Sequence, residues 1–160
     1  MRRQITIMAV LVAAAAAGGC RSFNIETPDA FLELEDQRRA SYDYRATTAD
    51  GVVLAVQSLP NKQNGTLEFW SEAIRNKLRD VRGYALLEET DVRTSRGLAG
   101  KQMRFGRDES GQTYRYWVTV FVRPEGASPK LWVIEAGGLQ EAFERRQRLV
   151  EQTIATFAPR

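Results

Sequence analysis

From Phe31 onward, apolar and polar positions alternate with two periods, and the switches between them divide the chain into elements. Phe31-Leu32-Glu33-Leu34 predicts a short first strand, and Glu35 to Ala40 is charged and reads as exposed. Tyr42 to Thr47 and Val52 to Leu59 are β-like runs on either side of Asp50-Gly51. That dipeptide tolerates positive φ and predicts a hairpin. Leu67, Trp70, Ile74, Leu78 and Val81 then recur at spacings of three and four, with Glu72, Arg75, Asn76, Lys77 and Arg79 on the opposite side. Thr66 suits the N-cap and Gly83 the stop, so the pattern predicts an amphipathic helix over 66–82.

Four strand-like segments follow, at about 84–93, 98–107, 113–123 and 130–136, joined by turns short enough to favour antiparallel neighbours. Gly97-Leu98-Ala99-Gly100 and Gly137-Gly138 read as turns and match no phosphate-binding loop. In segment 113–123, Tyr114, Tyr116, Val118, Val120 and Val122 share one face, and Arg115, Trp117, Thr119, Phe121 and Arg123 share the other. Closing 113–123 on 130–136 sets Phe121 opposite Trp132, Thr119 opposite Ile134, Val120 opposite Val133 and Val118 opposite Glu135. Both faces are apolar in the middle, which predicts a central pair covered on both sides. A last helix is predicted over 140–157, with Phe143, Val150, Ile154 and Phe157 as its stripe.

The N-terminus follows a different logic. Met1-Arg2-Arg3-Gln4 is a basic start, and Ile5 to Ala17 is apolar except for Thr6. A membrane-spanning helix needs about 20 apolar residues, so this run is too short to span and has the length of a signal-peptide core. It ends in Ala17-Gly18-Gly19-Cys20. This resembles the lipobox of bacterial lipoproteins, apart from Ala17, where leucine is usual. The resemblance implies a signal peptide over 1–19, diacylglyceryl attachment at Cys20 and a membrane anchor made of acyl chains. Arg21 after the cysteine implies sorting to the outer membrane, facing the periplasm, in a Gram-negative host. Residues 20–30 read as the lipidated cysteine and a tether, and 31–158 as one domain. Ordinary secretion with cleavage after Ala17 would instead strand a lone thiol in an oxidising compartment.

Composition narrows the chemistry. The chain has no histidine and one cysteine. That removes the usual general base at neutral pH, the Ser-His and Cys-His pairs, N/S zinc sites and any internal disulfide. No clustered Asp/Glu loop suggests a metal. The formal charge of +3 is also misleading: without Arg2 and Arg3, 21 basic residues face 20 acidic ones, a net of +1. The signs are interspersed, so no basic face points to nucleic acid. The expectation is a protein that is not an enzyme, with no cofactor, no metal and no nucleic-acid partner.

The order is hairpin, helix, antiparallel meander, helix. With Asp50-Gly51 in the first turn, Trp70 in the first helix, the Tyr114–Val122 and Leu131–Glu135 strands, and Thr153-Ile154-Ala155-Thr156-Phe157 closing the chain, it resembles the PsbP/Mog1-like domain. The resemblance implies an α+β fold, an antiparallel sheet flanked by helices as an α/β/α sandwich. It also implies an accessory role in binding other proteins, with no catalytic residues to carry over.

The candidate partner-binding surface is a sheet rim carrying Arg104, Arg107 and Arg115, beside Trp117 or Trp132, residue types enriched at interface hot spots. The alternatives are a solvated rim balanced by acids, with Arg123 as part of it, and tryptophans that belong to the core. Glu135, within Trp132-Val133-Ile134-Glu135-Ala136, is either a desolvated carboxylate with a raised pKa or one paired with an arginine or a tyrosine such as Tyr116. These readings predict a lipid-anchored protein-interaction module of the bacterial envelope, an accessory of an envelope or secretion complex. The alternative is a small-ligand or lipid-binding lipoprotein. An enclosed pocket above about 300 Å³ between sheet and helix would favour the ligand, and an exposed apolar patch over a packed core would favour the module.

Overall fold

A computed structural model describes residues 21–34, 41–123 and 129–160. The expected signal peptide, Cys20, the charged stretch 35–40 and the loop 124–128 lie outside the described residues. Among the described residues, nine strands and two α-helices follow one another as β1 (Phe23–Asn24), β2 (Phe31–Glu33), β3 (Tyr44–Thr48), β4 (Val53–Pro60), α1 (Leu67–Asn76), β5 (Ala85–Arg93), β6 (Ala99–Glu109), β7 (Gln112–Arg123), β8 (Lys130–Leu139), α2 (Gln140–Ala155) and β9 (Ala158–Pro159). Seven of these strands form one antiparallel sheet in the order β2-β3-β4-β8-β7-β6-β5, and β1 pairs with β9 as a separate ribbon.

Alternation along the strands places the two cores. Phe121, Trp132, Ile134, Leu54 and Val56 meet Phe143, Val150 and Ile154 of α2, and Phe157 just after it, on one face. Met103, Phe105, Val118, Val120 and Val133 meet Leu67, Trp70 and Ile74 of α1, and Leu78 just after it, on the other. The expected β7–β8 register holds at all four pairs, including Val118 opposite Glu135. Thr66 caps α1, its hydroxyl accepting from the Phe69 amide, and Gly51 takes φ +86° in the first hairpin, a conformation that favours glycine.

Four expectations change. The predicted helix over 66–82 stops being α-helical at Asn76 and continues as one π-helical turn, Lys77–Val81. A π turn holds more residues per revolution, so the apolar stripe loses step and Val81 swings out to 77% exposure. Gly100 is not in a turn but inside β6, and Gly137-Gly138 lie inside β8. Each lacks a side chain because a neighbour takes the space: a Cβ on Gly100 would sit 2.4 Å from the Phe121 ring, and one on Gly138 would sit 3.3 Å from the Gly51 carbonyl. Phe157 packs as expected, but from just beyond the end of α2 rather than on it.

Residues 21–30 are not a free tether. Phe23 is fully buried, its ring centroid 5.6 Å from that of Phe157. Arg21 pairs with Glu33 and lies over the Tyr44 ring, and the Ser22 carbonyl accepts from the Arg160 amide. The domain expected to begin at Phe31 therefore includes the chain from Arg21. The physical reason is that β9 offers β1 a strand to pair with and the Phe157 cluster offers Phe23 a socket.

Candidate functional site

Two places combine exposed apolar surface with organised polar groups. The first begins at an irregularity in the edge strand β5. Leu86 faces Phe105 and Glu88 faces Arg104, so Leu87 is an extra residue, a β-bulge. The bulge leaves Leu87 54% exposed. Gly106 opens the room beneath it, since a Cβ there would meet both Leu87 and the Arg115 guanidinium at 3.2 Å. Leu87, Arg104, Arg115, Trp117 and, from α2, Phe143 and Gln147 line a cavity of about 340 Å³ along the flank of the sandwich.

Arg104 organises this groove. Its guanidinium stacks 4.0 Å above the Trp117 ring, donates to Gln102 Oε1 at 2.8 Å, and pairs with Glu88 at 3.0 Å and Glu151 at 3.3 Å. Gln102 in turn donates to the Thr119 hydroxyl at 3.1 Å, so the network is anchored inside the sheet. Arg115 lies 3.7 Å from Glu144. The arginines are balanced by carboxylates, so the groove offers an apolar floor and a neutralised rim rather than a positive field.

The structure thus joins Arg104, Arg115 and Trp117, but divides the rest of the expected surface. Arg107 is on the opposite face, with its guanidinium over the Tyr84 ring at 5.4 Å, because an odd step along β6 reverses the side. Trp132 cannot be a surface residue. It is fully buried against Phe157, with its indole N–H donating to the Ser22 hydroxyl at 3.3 Å. Trp117 is also buried, its edge against Phe143, so it forms the floor of the groove and not an exposed platform. Arg123 stacks on Trp132 at 5.3 Å. Leu87 was missed. Its only signal in the sequence is the doublet Leu86-Leu87, which breaks the alternation of its strand.

The second place lies under α1. One short helix is about 10 Å wide and strands are spaced about 4.8 Å apart, so α1 covers roughly two strands and leaves the rest of that face thinly clad. A cavity of about 320 Å³ remains between α1 and the sheet. Its walls are apolar, from Leu59, Ile74, Leu131 and Val133, and Lys77 and Arg82 also line it. Glu135 lies among these lining residues, accepting from the Tyr42 hydroxyl at 2.7 Å and facing the Tyr116 hydroxyl. Burial and the hydrogen bond to this carboxylate push the Tyr42 pKa up to about 12, and burial with the carboxylate's charge pushes Tyr116 up further. Both phenols are therefore held as donors. Glu135 is the tyrosine-paired carboxylate of the two readings raised by its sequence. Among the described residues no three His, Cys, Asp or Glu side chains are grouped to hold a metal ion, and no helix is long and apolar enough to cross a membrane.

No family model and no curated protein matches the sequence. Solved structures do match in shape. LpqN of Mycobacterium tuberculosis, described as involved in cell envelope biogenesis, superposes with a TM-score of 0.64 at 10% identity, covering 85% of this chain and 82% of LpqN. The Ran-binding protein Mog1p of Saccharomyces cerevisiae gives 0.56 at 12% identity, covering 86% of this chain and 90% of its own. Cyanobacterial PsbP from Synechocystis gives 0.55 at 11% identity, covering 93% and 99%. Together with the strand order and the two helix layers, these likenesses identify the fold as the PsbP/Mog1-like antiparallel α+β sandwich.

Proposed function

We propose that the chain is a non-enzymatic protein-interaction module, anchored through acyl chains on Cys20 to a membrane of the bacterial envelope, with the Leu87 groove as its docking surface. The observation that carries the docking reading is the bulge: it spends backbone regularity on holding a leucine in solvent above a fixed Trp117–Arg104 stack. The arginine stacked on tryptophan beneath it belongs to the residue types enriched at interface centres, and Leu87 adds exposed apolar area beside them. The fold neighbours agree with this, since one is a Ran-binding protein and another takes part in envelope biogenesis. The anchoring reading rests on the basic start, the short apolar run and the small residues before the one cysteine.

The test uses acylated protein in native membranes. Metabolic labelling with an alkyne fatty acid should tag the wild type and miss Cys20→Ser, and equal labelling would refute the anchor. Partner capture should fall at least about tenfold on Leu87→Arg, in the range of hot-spot losses. It should survive Leu32→Arg, at a still more exposed leucine on the other sheet edge. Equal losses from both, or none, would refute the docking surface.

A second reading, binding of a small amphiphile, is favoured by one observation, the 320 Å³ cavity between α1 and the sheet with its apolar walls and Glu135–tyrosine cluster. Native mass spectrometry of protein extracted in mild detergent should then show a bound small molecule that Ile74→Trp loses.

A further inference from the structure

Resting on the anchoring reading above, we infer that the domain is seated directly on the membrane, with the β1–β9 end of the sandwich as its membrane-facing surface and an anionic headgroup layer as the partner. The link between lipid and domain is short. Three residue steps separate Cys20 from the buried Phe23, so their Cα atoms are at most about 10 Å apart. The polar headgroup region is itself only about 5–7 Å deep on each side of the hydrocarbon. An acylated Cys20 at that boundary leaves about 3–5 Å of reach beyond the headgroups, too little for the domain to stand away or tumble.

The chain is fixed on the near side of this short link by several contacts. Ser22 bonds the Ser58 hydroxyl at 3.2 Å and accepts from Trp132 at 3.3 Å, and its carbonyl accepts from the Arg160 amide at 2.9 Å. These contacts define which end of the molecule faces the lipid: the C-terminal ends of β4 and β7 and the start of β8. That end carries Arg21, Lys62, Arg123, Lys130 and Arg160. The described acids there include Glu33, paired with Arg21, Asp43, which accepts from the Ser58 amide at 2.6 Å, and the exposed Glu26, whose amide donates to Thr156 beside β9. The basic excess matches anionic headgroups, which attract basic residues lying within a Debye length of the surface.

The orientation has a consequence for docking. Trp117 lies six residues along β7 from Arg123, which puts the Leu87 groove about 20 Å above the headgroups. The Gln112 hairpin stands about 37 Å away, at the far end of the same strand. The groove therefore presents sideways, to a partner that itself rises from the membrane.

Because Cys20 is the only cysteine and carries the lipid, a thiol fluorophore goes solely to an introduced one. Acylated Lys62→Cys and Gln112→Cys would be placed in vesicles of phosphatidylethanolamine with about one quarter phosphatidylglycerol, with a nitroxide quencher on some headgroups. Quenching several-fold stronger at position 62 than at 112 is expected. A flexible Gly-Ser linker of about ten residues inserted after Cys20 should shrink that difference several-fold, and an unchanged difference would contradict the length argument. Mass spectrometry of the N-terminal peptide separates the two layers of the claim. Unmodified Cys20 overturns the anchor and the inference with it, whereas acylated Cys20 with equal quenching at both positions overturns the seating alone.

Discussion

Arg104 is expensive to disturb. It stacks on Trp117, bonds Gln102 and pairs with Glu88 and Glu151. Reversing its charge would set three carboxylates together and uncover a buried indole, so a lost partner would report a damaged fold. Leu87 touches the same groove with half its surface in water, which makes it the better probe. At the α1 cleft the residue-scale prediction concerns pH. Burial and the Glu135 carboxylate raise Tyr42 to about 12 and Tyr116 further. Tyrosines ionise near pH 10 in the unfolded chain. Below that value both states keep their protons and stability is unaffected. As pH rises from about 10 to 12, the unfolded state loses protons first and stability falls. Urea midpoints between pH 9 and 12 should decline, and more gently in Tyr116→Phe. Matching slopes in the two proteins would show that Tyr116 ionises normally.

Elements are where glycine misled. Gly100 was expected in a turn, yet it sits in β6 with the Phe121 ring and the Val120 carbonyl pressed against its missing side chain. Gly100→Ala should destabilise the protein by about 1–3 kcal/mol through overpacking between central strands. Chemical denaturation would show this, and a neutral result would mean that the Phe121 ring swings clear of position 100 without cost. The β7–β8 register, the helix stripes and the Asp50-Gly51 hairpin were legible because each depends on local period and turn chemistry. A close approach between strands is set by tertiary packing, and a bulge by pairing with a distant strand, so neither Gly100 nor Leu87 could be read that way. Arg107 was different: its odd offset from Arg104 already placed it on the other face of any strand holding both.

For the whole molecule, the N-terminal segment changes from tether to structure. A chain beginning at Phe31 loses β1 and leaves the socket beside Phe157 empty. It should be less stable than one beginning at Arg21 by about 3–5 kcal/mol, the range for deleting a buried phenylalanine. Differential scanning calorimetry of both would check this, with equal transition temperatures as the contrary outcome. Nothing in Phe23-Asn24 announced that role, since two residues have no measurable period and their partner lies at the far end of the chain. The fold class was readable from element order, whereas the site arises only from tertiary packing, because it joins a bulge in β5, an indole in β7 and the flank of α2.

The central claim is that the domain works by docking a protein at the Leu87 groove. Its most direct measurement is photocrosslinking in living cells, with a benzophenone amino acid at Leu87 and, as control, at Ala73 on the exposed side of α1. The account predicts a discrete, heavier adduct from position 87, containing an envelope protein, and none from position 73. Adducts of equal yield from both positions, or none from 87 while 73 reacts, would contradict it.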